Sequence, residues 1–475
     1  MDLVSILPFS LAAFLCLVLH CVVTIHILLF KEDVKSAIGW IGLVWLAPII
    51  GTLVYIALGI NRIHRKALSL SRKAGSSKFL PKTDLEDTAP FPQTLLPLLK
   101  LGVEVHPQPF CFGNRIQAFE NGDAAYPAMC QLIAQAHKEV LLQSYIFNND
   151  VAGQMFLSAM RQAALNGAHI KVLVDGVGKN YSSPTILQPL HSITGLETAV
   201  FLPSKKPFNL PFVNLRNHRK ILIVDGSSAF FGGMNISQGN LVDTHPKGPI
   251  ADVTFQVHGP VVRQIARVFE EDWNFTTKKN FTSYTPGSLS AEGHCAARII
   301  PDGPDSNYGK ISYMFTGALA CAQKSIKILT PYFLPEENIL SALEVASMRG
   351  VKIEILLPQK SNIFGMDRAM RANFKRLLKR HIKIYRTVPP FDHSKILLVD
   401  DQWAFIGSAN WDVRSLKLNF ECNMECIDKE LASQIHTIIA HKKKGARREH
   451  LSFLKHQPWY QRLVDNTFKL LTPYY

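Results

Sequence analysis

The sequence predicts an α/β protein built twice: two α/β/α sandwich domains with mixed sheets, related by a pseudo-twofold axis and preceded by two transmembrane helices. Three observations carry this. A short motif occurs twice, as NHRKILIVDGSSAFFGGMN over 217–235 and DHSKILLVDDQWAFIGSAN over 392–410. The order of helices and strands ahead of each copy is the same. Two long apolar runs stand at the start of the chain.

The apolar runs, 4–30 and 37–60, contain no Asp, Glu, Lys or Arg, and each exceeds the roughly 20 residues that cross a bilayer. The start carries Asp2 and neither Lys nor Arg, which argues against a cleaved leader. Arg62, Arg65, Lys66, Arg72, Lys73, Lys78 and Lys82 follow the second run. That bias places the catalytic domains on the cytoplasmic face of the inner membrane. Residues 61–110 read as a polar linker, 111–290 as the first catalytic domain, and 291–475 as the second with a C-terminal amphipathic segment. In the first domain a helix is expected from 120 to about 138, a strand over 140–147, a helix over 152–166 and a strand over 170–174. The second domain repeats the order, with helices over 313–323 and 337–349 and strands over 326–329 and 353–357. A whole α/β unit is therefore duplicated, and strand–helix alternation predicts a largely parallel sheet covered by helices.

Each motif sets a His, a Lys two residues on, an Asp five further, then Gly, a small residue and Asn. These are His218, Lys220, Asp225, Gly232, Gly233 and Asn235 in the first copy, and His393, Lys395, Asp400, Gly407, Ser408 and Asn410 in the second. The Val-, Ile- and Leu-rich text around them reads as buried strand, so each His shares a face with its Lys. Asp225 and Asp400 complete the catalytic pattern, yet their odd offset suits a hydrogen-bonding task at the strand end. The Gly-Gly-Met-Asn and Gly-Ser-Ala-Asn turns offer backbone N–H groups and an Asn amide to an anion. Two such sets, facing each other, suit a phosphodiester. Cations and amides hold the non-bridging oxygens, one His attacks phosphorus and the other protonates the leaving oxygen.

The motif pair resembles the phospholipase D superfamily. The surrounding text, Arg216 to Lys220, Asp412-Val-Arg-Ser415, Asn419-Phe-Glu421, Tyr145-Ile-Phe147 with Asp150, and Pro331-Tyr-Phe333, is similar to bacterial cardiolipin synthases over essentially the whole chain. The resemblance implies phosphatidyl transfer between two phosphatidylglycerols, giving cardiolipin and glycerol through a phosphatidyl-histidine. His218 would be the covalent residue and His393 the acid, then the base. Asn235, Asn410, Ser408 and Gly233 would bind phosphate. Asp252 would orient His218, and Glu421 would orient His393. Two departures bear on donor-site shape: Gly233 stands opposite Ser408, and Ile250 stands where relatives often carry Trp.

A formal net charge of +15, with basic stretches over 375–383 and 442–448, fits an anionic lipid surface when two spans are present. Nucleic acid is not expected as a partner. The eight Cys are scattered, without paired C-x-x-C spacing, so no zinc site is expected. Asp175-Gly-Val-Gly178-Lys179 lacks the spacing of a nucleotide-phosphate loop. No cofactor is expected, which fits exchange of one phosphodiester for another. The expected partners are phosphatidylglycerol, cardiolipin and the bilayer. The alternatives are a phospholipase D-type hydrolase, a transferase with another donor or alcohol, and, further off, a nuclease.

Overall fold

A computed structural model describes residues 3–31, 33–59, 91–203, 215–244, 248–287, 289–305 and 307–472. The chain falls into two compact units, Met1–Lys66 and Ala67–Tyr475.

In the first unit, α1 spans Leu3–Phe30, α2 Val34–Leu46 and α3 Pro48–Val54. The second expected span is therefore not one helix. Pro48 cannot continue the hydrogen-bond ladder of α2, and Ala47 turns out of the helical region at φ −131°. Gly51 then lets α3 lie against α2, where a Cβ would meet the Leu43 carbonyl oxygen at 2.2 Å. Val23, Ile27, Ala37, Val44 and Tyr55 form a small core, and His26 Nδ1 lies 2.8 Å from the Tyr55 hydroxyl. Among the described residues no helix is long and apolar enough to cross a membrane.

In the second unit the strands are β1 Cys111–Glu120, β2 Glu139–Ser144, β3 His169–Asp175, β4 Leu196–Phe201, β5 Lys220–Val224, β6 Ser228–Gly232, β7 Ile250–Ala251 and β8 Val253–His258, then β9 Cys295–Asp302, β10 Ser325–Leu329, β11 Phe333–Leu334, β12 Lys352–Pro358, β13 Lys383–Thr387, β14 Phe391–Asp392, β15 Ile396–Val399, β16 Trp403–Gly407, β17 Trp411–Asp412, β18 Glu421–Ile427 and β19 Arg447–Arg448. The main helices are α4 Leu96–Val105, α5 Asn121–Ala134, α6 Val151–Leu165, α7 Leu187–His191, α8 Val262–Thr277, α9 Lys310–Cys321, α10 Glu337–Met348, α11 Met366–Leu378, α12 Val413–Lys417, α13 Lys429–Lys443, α14 Leu451–Lys455 and α15 Trp459–Leu470.

One sheet of 15 strands runs through both halves, in the order β19-β13-β12-β10-β15-β16-β18-β9-β1-β8-β6-β5-β2-β3-β4. Read outward from the antiparallel β1–β9 junction, the halves mirror each other. β8, β6, β5, β2, β3 and β4 correspond to β18, β16, β15, β10, β12 and β13. The outer strands pair in parallel and the inner ones antiparallel. Each half has its own outer core, the first beneath α5 and α6, the second beneath α9, α10 and α11. A third core, including α8 and α13, joins the two halves. The halves are thus one continuous body.

The end of the expected linker is structured as well. Leu95, Leu98 and Leu99, at and just ahead of α4, are buried in the core of the second half, because this stretch is amphipathic and opens on Pro97, where a missing N–H costs nothing. Residues 61–90 lie outside the described residues.

Candidate active site

β5 and β15 end at the middle of the molecule with His218-Arg-Lys220 and His393-Ser-Lys395. The backbone between the halves is exchanged there. Asn217 bridges to Phe420, and the His218 N–H donates to the Phe420 carbonyl at 2.9 Å. On the other side β14 pairs in parallel with β7, and the His393 N–H donates to the Ala251 carbonyl at 2.7 Å. Each histidine is therefore laid beside the residue that precedes the other half's carboxylate.

The carboxylates follow that exchange, which reverses the expected assignment. His393 Nδ1 lies 2.9 Å from Asp252 Oδ2, and His218 Nδ1 lies 3.4 Å from Glu421 Oε1. Asp252 orients the second histidine and Glu421 the first. In sequence each carboxylate follows the histidine of its own half, so the nearest pairing in the chain is the wrong one in space.

The two arrangements differ in hydrogen bonding. Asp252 is buried and, besides His393, accepts from its neighbour's N–H at Val253. Glu421 is equally buried but accepts from Ser408 Oγ at 2.6 Å, Ser415 Oγ at 2.6 Å and Asn419 Nδ2 at 3.1 Å. The same Asn419 nitrogen lies 3.1 Å from His218 Nδ1. A carboxylate that already accepts three bonds holds less of its charge for the imidazole. Both carboxyls are nonetheless held below their ordinary range. Burial pushes Asp252 up, but His393 and Lys395 outweigh it, and His218 and Lys220 do the same for Glu421.

The cations pack closely. Lys220 Nζ donates to the His218 carbonyl, and Lys395 Nζ to the His393 carbonyl. Burial pulls Lys220 down to about 8 and Lys395 to about 7, and in Lys395 the neighbouring Lys220 adds to it. Burial, and then the nearby lysine, also lowers His218, and it brings His393 to about 4. The Tyr145 ring lies tilted against the His218 ring with centres 4.3 Å apart, and Tyr332 lies 6.4 Å from the His393 ring.

The remaining expected residues divide. Asn235 Oδ1 accepts from the Ile146 N–H at 3.2 Å, which leaves its amide nitrogen for a ligand. Asn410 is buried, and its Oδ1 has no partner among the described residues. Ser408 is not placed to hold phosphate, because its hydroxyl is committed to Glu421 and the Cys422 N–H. Gly233 makes room: a Cβ there would meet Lys395 Cδ at 2.9 Å, so the glycine admits the lysine of the other half. Asp225 and Asp400 stand beyond the far ends of β5 and β15, seven residues or about 23 Å of extended chain from the histidines. Each is in a left-handed turn and accepts from three successive N–H groups, those of 137–139 and 323–325. They hold the strands and do not reach the histidines. Asp175, at the rejected phosphate loop, likewise accepts the N–H groups of Val177, Gly178 and Asn217.

Arg219 was not expected to matter. Its side chain points away from the histidine face, pairs with Asp272 at 2.7 Å and donates to the carbonyls of Glu421 and Asp302, each at 3.0 Å. It thereby ties the backbone of Glu421 to the first half. An Arg between two polar motif residues, on the core face of a strand, is the signal that was available. Its counterpart Ser394 makes no such link, and its hydroxyl has no partner among the described residues.

Comparison with known proteins decides the family. The model described as "Cardiolipin synthase, PLD-like domain" matches residues 129–273 and 316–443. The chain belongs to the cardiolipin synthase family. A cardiolipin synthase of Geobacillus sp. is 31% identical over 473 residues, covering 97% of this chain and 93% of that protein. One from Alkalihalophilus pseudofirmus is 30% identical over 467 residues, covering 95% of this chain and 92% of that protein. The crystal structure of a Haemophilus influenzae phosphatidylserine synthase matches with a TM-score of 0.61 at 14% identity, over 79% of this chain and 98% of that one. The fold is thus shared with a phospholipid-building enzyme.

Proposed function

We propose that this chain is the phosphatidyltransferase that joins two phosphatidylglycerols, with His218 as nucleophile and His393 as acid and base. What carries this reading is the crossed pair of His–carboxylate contacts inside a site with two lysines, in a chain related over nearly its full length to cardiolipin synthases. His218 Nε2 attacks the donor phosphorus, and the bond to the glycerol oxygen breaks. His393 gives that oxygen its proton, and glycerol leaves. The terminal hydroxyl of a second phosphatidylglycerol then gives its proton to His393 and attacks phosphorus. The P–N bond breaks, and cardiolipin leaves with both histidines as they began.

The hydrogen bonds favour this division of roles. Asp252, shared with few donors, stabilises a protonated His393 and suits the acid. Glu421, spread over three donors, leaves His218 with its Nε2 lone pair free. Burial and the lysines keep His393 neutral near pH 7. The diester anion offsets the lysines, so protonation of His393 accompanies substrate. Lys220, Lys395 and the amide of Asn235 hold the non-bridging oxygens.

Attachment to the bacterial membrane belongs to the same reading. Leu29, Leu46 and Ile50 are exposed in the first unit, an apolar surface that lipid would cover. The test is product analysis. Full-length protein in mixed micelles receives phosphatidylglycerol alone, beside His218→Ala. Equal amounts of cardiolipin and glycerol, absent in the variant, are expected; phosphatidic acid instead would make water the acceptor and the transferase reading wrong.

A further inference from the structure

The last helix, α15, presents two unlike faces. Asp465 is buried, accepts from Gln457 Nε2 at 2.7 Å and pairs with Arg368 of α11 at 3.3 Å, while Phe468 packs edge-on against Phe364 with ring centres 5.5 Å apart. This side fixes the helix to the catalytic body. The other side is apolar and bare. Trp459, Tyr460, Leu463, Val464, Leu470 and Leu471 are all exposed, on an arc roughly 140° wide at 3.6 residues per turn. Phe453 of α14 is 71% exposed and Phe364, on the loop before α11, is 86% exposed. A contiguous patch of this kind marks a contact surface rather than scattered surface hydrophobics.

Charge selects what it contacts. Arg462 and Lys469 lie along one edge of the apolar arc and are exposed, as is Lys455. The only acidic side chain between 450 and 472 is Asp465, and it is buried. By contrast, the basic stretches that the sequence put forward are largely neutralised by ion pairs. Lys442 pairs with Asp392, Lys443 with Glu354, and Arg376 with Glu337 and Glu344. Aromatic and aliphatic groups bordered by unopposed cations suit the interface of an anionic lipid layer.

The patch is also linked to the reacting groups. The Tyr332 hydroxyl bonds Asn362 Oδ1 at 2.7 Å, two residues from Phe364, and the Tyr332 ring faces His393. We propose that α15, with Phe364 and Phe453, is the surface by which the catalytic body seats on an anionic lipid monolayer, with Trp459, Leu463 and Leu470 among the acyl chains and Arg462 and Lys469 at the headgroups. This seats the His393 side of the site beside its lipid substrates. The inference rests on the phosphatidyl-transfer reading for its choice of lipid, whereas docking is measured without turnover.

Hydrogen–deuterium exchange on the full-length protein in nanodiscs tests it. Amides of 451–471 are expected to exchange at least tenfold more slowly in discs containing phosphatidylglycerol than in discs of phosphatidylcholine alone. Equal exchange in the two discs overturns the proposal. So does protection of the same size without anionic lipid, which would mean that another segment or a second copy covers the face. A Trp459→Ser, Leu463→Asn, Leu470→Asn variant provides the second reading. It is expected to lose about tenfold in turnover on vesicles of phosphatidylglycerol and keep turnover of short-chain phosphatidylglycerol in micelles. Vesicle turnover within twofold of the parent would overturn the proposal. Failure of the parent to make cardiolipin in micelles would instead count against the catalytic reading.

Discussion

The two half-sites use the same residue types and are not equivalent. Around His393, a short contact to Asp252 stands nearly alone, and Ser394 behind the motif is unlinked. Around His218, Glu421 is shared with Ser408, Ser415 and Asn419, and Arg219 behind the motif fastens Glu421 to the opposite half. The difference starts at one position. Where the second motif has Ser408 to load its carboxylate, the first has Gly233, because Lys395 occupies the space a side chain would need. In the mechanism proposed above, a duplicated site acquires division of labour through the donors around each carboxylate, while the histidines themselves stay the same.

Breaking either histidine should have the largest effect. His218→Ala and His393→Ala are each expected to lose at least about a thousandfold in turnover while unfolding at near-parental temperature, as read by calorimetry beside the activity assay. The carboxylates separate the halves more finely. Asp252→Asn removes the main partner of the acid and should lower kcat by about a hundredfold or more with little loss of stability. Glu421→Gln should also lower kcat, but it unsettles three buried donors and should cost about 1–3 kcal/mol of stability as well. Equal stability of the two variants would contradict the unequal loading of the carboxylates.

A structural contrast runs behind the motif. Arg219→Ala leaves Asp272 buried without its counter-charge, with only the amides of Gln143 and Asn217 still donating to it, and should cost about 3–5 kcal/mol, whereas Ser394→Ala removes a buried hydroxyl that bonds none of the described residues and should change stability by less than about 1 kcal/mol. Denaturant midpoints report both.

The pH dependence of anion binding tests the cations. Lys395 and Lys220, lowered by burial to about 7 and 8, lose their protons as pH rises through that range. Affinity for an unreactive phosphodiester should be full below about pH 6 and fall progressively above it. Binding near pH 7.5 should take up protons, because the anion restores both charges. Affinity that stays flat to pH 9 would mean that the lysines remain charged without ligand. The smallest effect is expected of Ser408→Ala, which frees Glu421 to serve His218 and should raise the His218 pKa with only a few-fold change in kcat.

Much of this arrangement was legible in the chain. Period-two apolar text fixed β2, β3, β5 and their counterparts to within a residue or two at most ends, since buried strands leave little freedom in which residues face the core. The odd offset of Asp225 and Asp400 already pointed to their capping role. Two things were not legible for physical reasons. The exchange of Asp252 and Glu421 between halves depends on β7–β14 pairing and the Asn217–Phe420 bridge, contacts separated by more than a hundred residues that leave no local pattern. The burial of Leu98 and Leu99 depends on the core of the second half lying within reach. A third, the break at Ala47–Pro48, was written in the sequence as a proline inside an apolar run, and uniform hydrophobicity masked it.

The central claim is that the loading of the carboxylates assigns the nucleophile to His218. Trapping decides it most directly. Full-length protein mixed with phosphatidylglycerol carrying labelled phosphate is quenched within one turnover in cold denaturant near neutral pH, since acid cleaves the P–N bond and alkali strips the acyl esters. The labelled peptide is then mapped by mass spectrometry. The account predicts a phosphatidyl group on the peptide containing His218 and none on His393; label on His393, with His218 unmodified, would contradict it.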